Sequence, residues 1–392
     1  MIRFVTAGES HGSGVFVIVE GIPAGLTVNQ EDIDIELAKR QSGFGRGKRM
    51  NIEADHVTFL SGIRYAKTIG SPIAMCVSNK DSKNWTRTMS VKSIDFDKAT
   101  ILSKPRPGHA DLAGLIKFGA SDFRDILERA SARETVARVA AGSICKLLLS
   151  EFKMKIMSYT VQIGTAVANI TSVKKNDILR KTEKSSVRCP DDIASTKMVE
   201  LIKIAEQNGD TLGGKFKIIV DNVPIGLGSH TQWDLKLDGR IAKSLISIQA
   251  IKAVEFGEGI ELASLFGSIS HDEIFYGKYN NEFKLKKFYR NTNMAGGIEG
   301  GISNGEPIVV TCTMKAIPSL KKPLQSVNLN TKQADKAEIV RSDVCAVPAA
   351  GVVAESAIAI EIAKALKEKF GGDCLDDMKK NINVYMERLK VL

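Results

Sequence analysis

Runs of alternating apolar and polar residues along the chain predict several short β-strands. Ile2–Thr6 and Val15–Glu20 alternate in this way, and a glycine-bearing turn joins them. Further β-branched runs of strand length are Val57–Leu60, Pro72–Ser78, Lys215–Val220 and Ile308–Met314. The polar stretch Ser82–Pro105 separates two of these regions and is predicted to be a long loop.

An apolar period of 3.6 residues predicts helices between these strands. The clearest is Asp122–Phe152, on which Arg129 and Arg133 are four residues apart and should be neighbours. The other predicted helices run from Asn29 or Glu31 to Arg40, and over Ile193–Gln207, Arg240–Lys252 and Ala354–Lys369, the last one ended by Gly371-Gly372.

The order of these elements predicts an α+β fold, because strands and helices do not alternate as they do in a doubly wound α/β protein. No Gly/Ser-rich or Pro-rich linker divides the chain, so we expect a single large domain over residues 1–392. Met154–Lys184 is rich in lysine and threonine and is expected to be peripheral, with a lysine-rich segment at about 165–190.

The charge pattern favours a small anionic ligand over a nucleic acid. The 392 residues carry a formal net charge of +10, and the arginines recur beside glycine and histidine. Arginine is the residue that binds phosphate and carboxylate in a bidentate manner. RNA binding remains an alternative, but the clustered exposed aromatic residues that accompany single-strand recognition are missing.

Other sequence features place the protein in the cytoplasm, without a metal site. The six cysteines are scattered and form no CxxC pair, as expected in a reducing compartment. The five histidines do not fall at metal-ligand spacing, and no window offers the roughly 20 apolar residues of a membrane span. We therefore expect no metal ligand and no membrane partner.

Three glycine motifs resemble well-known ones without completing them. Gly8–Gly12 matches G-x-S-x-G, but a strand-like run follows it where a nucleophile elbow requires a helix. Gly209–Lys215 begins a Walker A loop, but Phe216 replaces the hydroxyl residue. Gly43–Gly47 follows a helix and lacks the last glycine of the Rossmann fingerprint. Hydrolase, P-loop and dinucleotide-fold interpretations are therefore rejected.

Glycine- and proline-framed segments nevertheless suggest an anion site with proton transfer. Gly43–Arg49 combines flexible backbone with three cationic side chains, which suits a bound anion. Lys104–Asp111 holds His109 between Arg106 and an aspartate in a proline-stiffened turn, as a proton-transfer group would be held. Asn293–Asn304 contains two GG pairs against which a planar or phosphorylated ligand could lie.

Together these segments resemble the signature blocks of the chorismate synthase family, over essentially the whole chain. The blocks are GESHG at 8–12, RQSGFGRGKRM at 40–50, RPGHADL at 106–112, SARET at 131–135, AGGIEGGISNGEPI at 295–308 and RSDVCAVPAAGVV at 341–353. Several independent blocks in the right order make a chance match implausible.

The resemblance implies the last step of the shikimate pathway, which supplies aromatic amino acid biosynthesis. In that reaction 5-enolpyruvylshikimate 3-phosphate loses its 3-phosphate and a C6 hydrogen by anti-1,4-elimination to give chorismate. The family requires reduced FMN without net redox change, so the protein would be a flavoprotein and a lyase. The resemblance also implies a homotetramer whose subunits have two antiparallel sheets around a layer of helices. A monofunctional enzyme, taking reduced FMN from a separate reductase and using NADPH only indirectly, is expected.

The resemblance also implies roles for individual residues. The catalytic residues would be His11, His109 and Asp343. The substrate-binding residues would be Arg46, Arg49, Arg106, Arg133 and Arg341. The FMN-binding residues would be Ser131, Ala132, Arg133, Gln249, Ala250, Gly300, Lys315, Ala316, Ile317, Pro318, Ser319 and Arg341. NADP contacts are the alternative role for Arg40 and Arg46.

Four of these positions depart from the usual family pattern. Ala130 replaces a serine, Gln249 an asparagine, Ala316 a proline and Ser319 a threonine. A flavin- or nucleotide-binding module without catalysis is the main alternative, since it would keep the Gly and Arg loops without needing the two histidines and Asp343.

Overall fold

The structure, a computed structural model, describes residues 1–47, 54–97, 101–277 and 288–391. Its strands are β1 (Arg3–Ala7), β2 (Gly14–Glu20), β3 (Val57–Phe59), β4 (Ile63–Arg64), β5 (Lys67–Thr68), β6 (Ile73–Ser78), β7 (Lys155–Ile163), β8 (Ala166–Val167), β9 (Gly214–Asp221), β10 (Ile251–Phe256), β11 (Phe275–Tyr276), β12 (Phe288–Tyr289), β13 (Ile298–Glu299), β14 (Ile302–Ser303), β15 (Ile308–Met314), β16 (Gln325–Val327) and β17 (Ala334–Lys336). Its helices are α1 (Gln30–Gln41), α2 (Asp111–Phe118), α3 (Arg124–Ala130), α4 (Thr135–Ser150), α5 (Ile178–Lys184), α6 (Asp192–Gln207), α7 (Leu237–Ile246), α8 (Gly267–Ser270), α9 (Val347–Phe370) and α10 (Leu375–Val391).

Two antiparallel sheets enclose a layer of helices, which confirms the α+β prediction. The first sheet has the strand order β1-β2-β6-β3 and the second the order β10-β15-β9-β7-β8. Helix α4 contacts β2 and β6 of the first sheet, while α9 contacts β7 and β9 of the second. Because α4 and α9 also pack on each other, the core lies between the sheets and the helices.

Helix α9 is buried on almost every side, as its Ala- and Ile-rich sequence requires. Its closest approach to α4 is at Gly142, where an added Cβ would lie 2.3 Å from the Cβ of Ser356. A glycine at this position therefore allows the two helices to meet with little side-chain separation.

The prediction of one helix over Asp122–Phe152 is wrong, because the helix is interrupted at Ser131. Ser131 has extended backbone angles, φ −61° and ψ 143°, and its hydroxyl accepts a hydrogen bond from the backbone N–H of Arg133. The break separates α3 from α4, so Arg129 and Arg133 are not neighbours on one helix face. Arg129 donates to the carbonyls of Gly8 and Thr6 instead.

Four other features differ from the prediction. Helix α7 ends at Ile246, and residues from Ile251 onward form β10 rather than helix. Helix α9 begins at Val347, because a proline is tolerated in the first helical turn. Helix α10 follows the Gly371-Gly372 stop that was expected to end the last helix. Lys155–Ile163 is not peripheral, since this segment is strand β7, with Ser158, Tyr159 and Thr160 buried.

The contexts of the incomplete motifs agree with their rejection. Gly8–Gly12 joins β1 to β2, so no helix follows Ser10 as a nucleophile elbow requires. Gly209–Lys215 leaves α6 and enters β9, the reverse of a P-loop. Gly43–Gly47 follows α1 rather than a strand.

A group of partly buried charged residues lies between α1 and α4. The carboxylate of Glu36 lies 2.5 Å from Lys146 Nζ and 2.8 Å from Lys39 Nζ. Burial opposes ionisation of this carboxyl, but the attraction of Lys146 and Lys39 outweighs it and lowers the pKa of Glu36 to about 2. The ionised carboxylate therefore stabilises the folded state.

Replacing Glu36 by glutamine is expected to lower the free energy of unfolding by about 3 kcal/mol at neutral pH. Because the folded-state pKa of Glu36 is lowered, its contribution is present above the unfolded-state pKa and lost as pH falls toward about 2. Urea unfolding of both proteins across this range should show the difference shrinking with falling pH. A difference that stays constant down to the lowest pH would contradict the ion-pair explanation.

Candidate active site

Two buried arginines from different elements share one buried aspartate. Arg133 Nη1 donates to both carboxylate oxygens of Asp55, at 2.7 and 3.0 Å. Arg40 Nη1 lies 3.6 Å from the same carboxylate, and the rest of its guanidinium donates to Thr135 and to the carbonyl of Ala132. Arg40 of α1 therefore binds the SARET segment at two points.

Arg46 and Asp343 extend this arginine cluster. Arg46 Nη1 lies 2.7 Å from Asp343 Oδ2, and the backbone N–H of Gly47 donates to Asp343 Oδ1 at 2.6 Å. Gly45 has φ +88°, and a Cβ there would lie 2.9 Å from Ile202. A glycine is therefore needed for the loop to reach Asp343. Lys48 and Arg49, predicted in the same loop, lie outside the described residues.

We define the arginine cluster as Arg40, Arg46 and Arg133 together with Asp55 and Asp343. This cluster has more positive than negative formal charge. Burial lowers the pKa of Arg40, and the neighbouring arginines Arg46 and Arg133 lower it further, against the attraction of Asp55, to about 9. Arg40 thus remains protonated at neutral pH. Within the cluster as defined, three guanidinium groups and two carboxylates give a formal net charge of +1.

His109 is held by the turn that precedes α2. Its Nδ1 lies 2.5 Å from Asp111 Oδ1, and Asp111 is fully buried. Arg106 donates to both oxygens of Asp111 and, through Nη1, to Ser319 Oγ at 2.6 Å. The predicted proline-stiffened turn thus exists as an Arg106–Asp111–His109 group.

The carboxyl of Asp111 is ionised over the ordinary pH range. Burial alone would raise its pKa, but hydrogen bonds from His109 and Arg106 outweigh that effect and lower the pKa of Asp111 to about 2. An ionised carboxylate accepts hydrogen bonds and donates none. The Nδ1 of His109 is therefore the donor in its contact with Asp111.

His11 is held in the same way by a second carboxylate. Its Nδ1 lies 2.8 Å from Glu128 Oε1 in α3, and its backbone N–H donates to Glu128 Oε2 at 2.8 Å. One ring face contacts Trp85, with centroids 4.0 Å apart. His11 keeps only 12% of its side chain exposed, so ring and carboxylate form a tightly packed pair.

Direct hydrogen bonds connect the three groups. Asn79 accepts from Arg133 Nε at 2.7 Å and donates to the carbonyls of Glu9 and Gly12, on either side of His11. Ser342 Oγ, beside Asp343, donates to the carbonyl of Ser319 at 2.6 Å. The predicted catalytic residues thus belong to one connected region.

Arg341 is connected to this region through Asp81. It donates to Asp81 at 3.0 Å, and Asp81 also accepts the Trp85 indole N–H at 3.4 Å. The Arg341 side chain is 49% exposed, which makes it the most accessible of the predicted arginines that the structure describes. We therefore expect an incoming anion to contact Arg341 before the buried arginines.

The residues expected to hold FMN lie around this region, with one exception. Ser131 Oγ contacts Ser10 Oγ, and Lys315 Nζ donates to the carbonyl of Gly108 next to His109. Gln249 donates to Glu134, and its buried Oε1 has no hydrogen-bond partner in the described part of the chain. Ala250, at φ +66°, accepts from the Lys315 N–H. Gly300 sits between β13 and β14, and the contacts of the described residues do not join it to this region.

Sequence reasoning missed the acidic and amide residues that hold the cationic ones. Asp55, Glu128, Asn79 and Asp81 are all buried and all bond to a predicted site residue. None belongs to a glycine- or proline-framed motif. Only their burial in the folded structure reveals them, since a buried charge requires a partner.

Neither a metal-binding cluster nor a membrane-spanning helix is present among the described residues. Over residues 1–47, 54–97, 101–277 and 288–391, no group of three or more His, Cys, Asp or Glu side chains could hold a metal ion. Over the same residues, no helix is both long and apolar enough to span a membrane.

Comparison with known proteins identifies the family. The sequence profile of the chorismate synthases matches residues 2–366. The chorismate synthase of Endomicrobium trichonymphae is 67% identical over the full length of both chains, and that of Desulforudis audaxviator is 50% identical, covering all of this chain and 98% of its own. A solved crystal structure of a chorismate synthase matches with a TM-score of 0.80 and 40% identity, covering 100% of this chain and 99% of its own.

The fold and the connected histidine, carboxylate and arginine groups are those of an enzyme, and the similarities define its class as a lyase. The chain belongs to the chorismate synthase family and has the activity that gives the family its name.

Proposed function

We propose that this site converts 5-enolpyruvylshikimate 3-phosphate to chorismate with reduced FMN, and that His11 and His109 transfer the protons. The observation that carries the proposal is the pair of carboxylate-bound histidines, His11–Glu128 and His109–Asp111, in the same connected region as the arginine cluster with its formal charge of +1. A reaction that expels phosphate needs both features, since charge binds the leaving group and an acid protonates it.

The five proposed substrate arginines differ in what they are able to do. Arg341 is half exposed, so it is the best placed for direct contact with a carboxylate or phosphate. Arg106 and Arg133 already hold buried aspartates, so they supply positive potential and a rigid framework. Arg46 contacts Asp343 and has 11% of its side chain exposed. Arg49 completes the proposed set on the basis of family similarity alone.

The two histidines offer their second ring nitrogens for proton transfer. In each, Nδ1 is bound to a carboxylate, and Nε2 has no hydrogen-bond partner among the residues that the structure describes. Asp343 is proposed as the third catalytic residue, next to the flavin. Its carboxylate is held by Arg46 and the Gly47 N–H, which fixes its orientation.

The chemistry of the residues present fits FMN. The buried Gln249 Oε1 without a partner needs a donor, which a flavin ring N–H would supply. Lys315, Ser319, Ser131 and Arg341 offer the cations and donors that a phosphate or ribityl chain needs. Ala132, Arg133, Ala250, Gly300, Ala316, Ile317 and Pro318 complete the proposed set. When bound, reduced FMN supplies electron density to the substrate and recovers it within the same turnover.

A direct NADP role for Arg40 is less consistent with its surroundings. Its side chain is 5% exposed, its Nε and Nη2 donate to Thr135 and to the carbonyl of Ala132, and its Nη1 lies 3.6 Å from Asp55. We therefore propose that NADPH acts only through a separate reductase that supplies reduced FMN. We also propose a homotetramer and a cytoplasmic location, the latter because the six cysteines are all free thiols.

The proposal is tested by anaerobic turnover with photoreduced FMN and 5-enolpyruvylshikimate 3-phosphate. Phosphate and chorismate should appear in equal amounts, and only when reduced flavin is present. Phosphate without chorismate would mean that the site is a phosphatase, and neither product despite binding of both molecules would overturn the proposal. In a second arm, aerobic turnover driven by NADPH without added reductase would refute the proposed need for a separate reductase.

A further inference from the structure

Glu128 makes an unusual set of contacts with the loop between β1 and β2. Its side chain is 2% exposed, and its two oxygens bind two different donors of one residue, the backbone N–H and the ring Nδ1 of His11. The backbone carbonyl of Glu128 also accepts from the N–H of Ser10 at 3.0 Å. One residue of α3 therefore holds both the backbone and the side chain at His11.

The donors and acceptors in this contact leave only one arrangement for the neutral imidazole. An ionised carboxylate is an acceptor at both oxygens. The backbone N–H occupies Oε2, so Oε1 remains to accept a hydrogen from Nδ1. In the neutral ring the hydrogen is then on Nδ1, and Nε2 has the unshared electron pair.

The neighbours of this pair prevent the ring from turning. Trp85 contacts one ring face, and Asp81 fixes the Trp85 indole through its N–H. The Arg124 guanidinium lies 5.3 Å from the Trp85 ring and 3.7 Å from Glu128 Oε1. The imidazole is thus held at its Nδ1 edge and along a face, while its Nε2 edge makes no hydrogen bond within the described parts of the chain.

We propose that Glu128 is a positioning residue, which fixes His11 in the Nδ1–H tautomer so that Nε2 is its proton-transfer atom. The proposal rests on the function proposed above for His11, and it adds a residue that none of the signature motifs singled out. Asp111 contacts His109 through Nδ1 in the same way, but it also binds Arg106 and therefore has a structural role that would obscure a test.

Glu128→Gln is the informative substitution, because glutamine replaces one acceptor by a donor at nearly constant shape. The backbone N–H of His11 still requires an acceptor, so the amide oxygen is expected to take that position. The amide NH₂ then faces Nδ1 and donates to it, which moves the ring hydrogen to Nε2. A comparable change in a serine protease triad lowers kcat by about 10⁴ through the wrong tautomer.

The chain contains a matched control at Asp34. Its carboxylate accepts from the backbone N–H of Val57 at 2.8 Å and contacts His56 Nδ1 at 2.9 Å, the same pattern as Glu128 with His11. The His56 side chain is 64% exposed, and none of its contacts reaches the described part of the site. Asp34→Asn therefore makes the same chemical change outside the site.

The direct test is solid-state ¹⁵N NMR of protein labelled only at histidine, above neutral pH and without flavin or substrate. The His11 signals are assigned by their loss in His11→Ala. Wild type and Glu128→Asp should show the Nδ1–H tautomer, and Glu128→Gln the Nε2–H tautomer. The Nδ1–H tautomer persisting in Glu128→Gln, or the Nε2–H tautomer in wild type, would overturn the proposal.

The kinetic test separates positioning from a merely structural role. Glu128→Gln should lower kcat by about 10- to 10²-fold, less than loss of the whole imidazole, with KM nearly unchanged. Asp34→Asn should match wild type in both. Unchanged kcat in Glu128→Gln despite the altered tautomer would show that the tautomer does not serve turnover. An inactive wild type would instead refute the proposed function, while the NMR result would still decide the tautomer.

Discussion

Replacing Asp55 by asparagine is expected to lower the free energy of unfolding by about 3–5 kcal/mol, the usual cost of removing one partner from a buried ion pair. The Asp55 side chain is fully buried between Arg133 and Arg40, which are 4% and 5% exposed. Without the carboxylate, two guanidinium groups would remain buried in contact with a neutral amide. Urea unfolding at neutral pH, analysed by linear extrapolation, measures the loss.

A matched exposed pair provides the control for this measurement. Glu20 binds Arg3 on the surface, where the two side chains are 40% and 69% exposed. Because exposed ion pairs contribute little, Glu20→Gln should leave the unfolding midpoint unchanged. A midpoint for Asp55→Asn equal to that of wild type would show that Asp55 does not neutralise the arginine cluster.

The charge of the arginine cluster also bears on its function. Its charge favours an anion but opposes folding, because Arg40, Arg46 and Arg133 repel one another. Burial, and then this repulsion, lowers the pKa of Arg40. If the excess charge serves anion binding, phosphate should raise the unfolding midpoint of wild type through preferential binding to the folded state. The same positive charge would therefore lower the stability of the fold and favour the binding of an anion.

The strands that were predicted have more accurate bounds than the predicted helices, although β7 and β10 were missed. Strand β15 was predicted with the bounds that the structure shows, because Ile308–Met314 is rich in β-branched residues and is flanked by Pro307 and Lys315. The break at Ser131 was invisible, since the apolar period continues from α3 into α4. Only a hydrogen bond from the Arg133 N–H to the Ser131 hydroxyl reveals that the helix stops there.

The candidate site was predicted in part, and the missing part has a common property. His109 and Asp111 are two residues apart, so a local motif contained both. Glu128 is 117 residues from His11, and Asp55 is 78 residues from Arg133. Such partners meet only in the folded chain, so no local pattern indicates them. The sequence thus indicated which groups could do chemistry, while the structure adds what holds them.

The largest expected loss of activity follows from removing either imidazole. His11→Ala and His109→Ala should each lower kcat by about 10²–10⁴-fold, the usual contribution of a positioned acid or base. Flavin binding should largely survive, because the proposed contacts to FMN come from other residues, such as Gln249, Lys315 and Ser319. Single-turnover chorismate formation with photoreduced FMN measures the first quantity, and quenching of flavin fluorescence the second.

His56→Ala is the appropriate control for both histidine variants, because His56 is exposed and its ion pair among the described residues is with Asp34. It should match wild type in turnover and in flavin affinity. Turnover equal to that of wild type in all three variants would remove the acid roles proposed for both imidazoles. Loss of turnover in His11→Ala alone would leave His109 with a structural role, as a hydrogen-bond donor that keeps Asp111 and Arg106 in place.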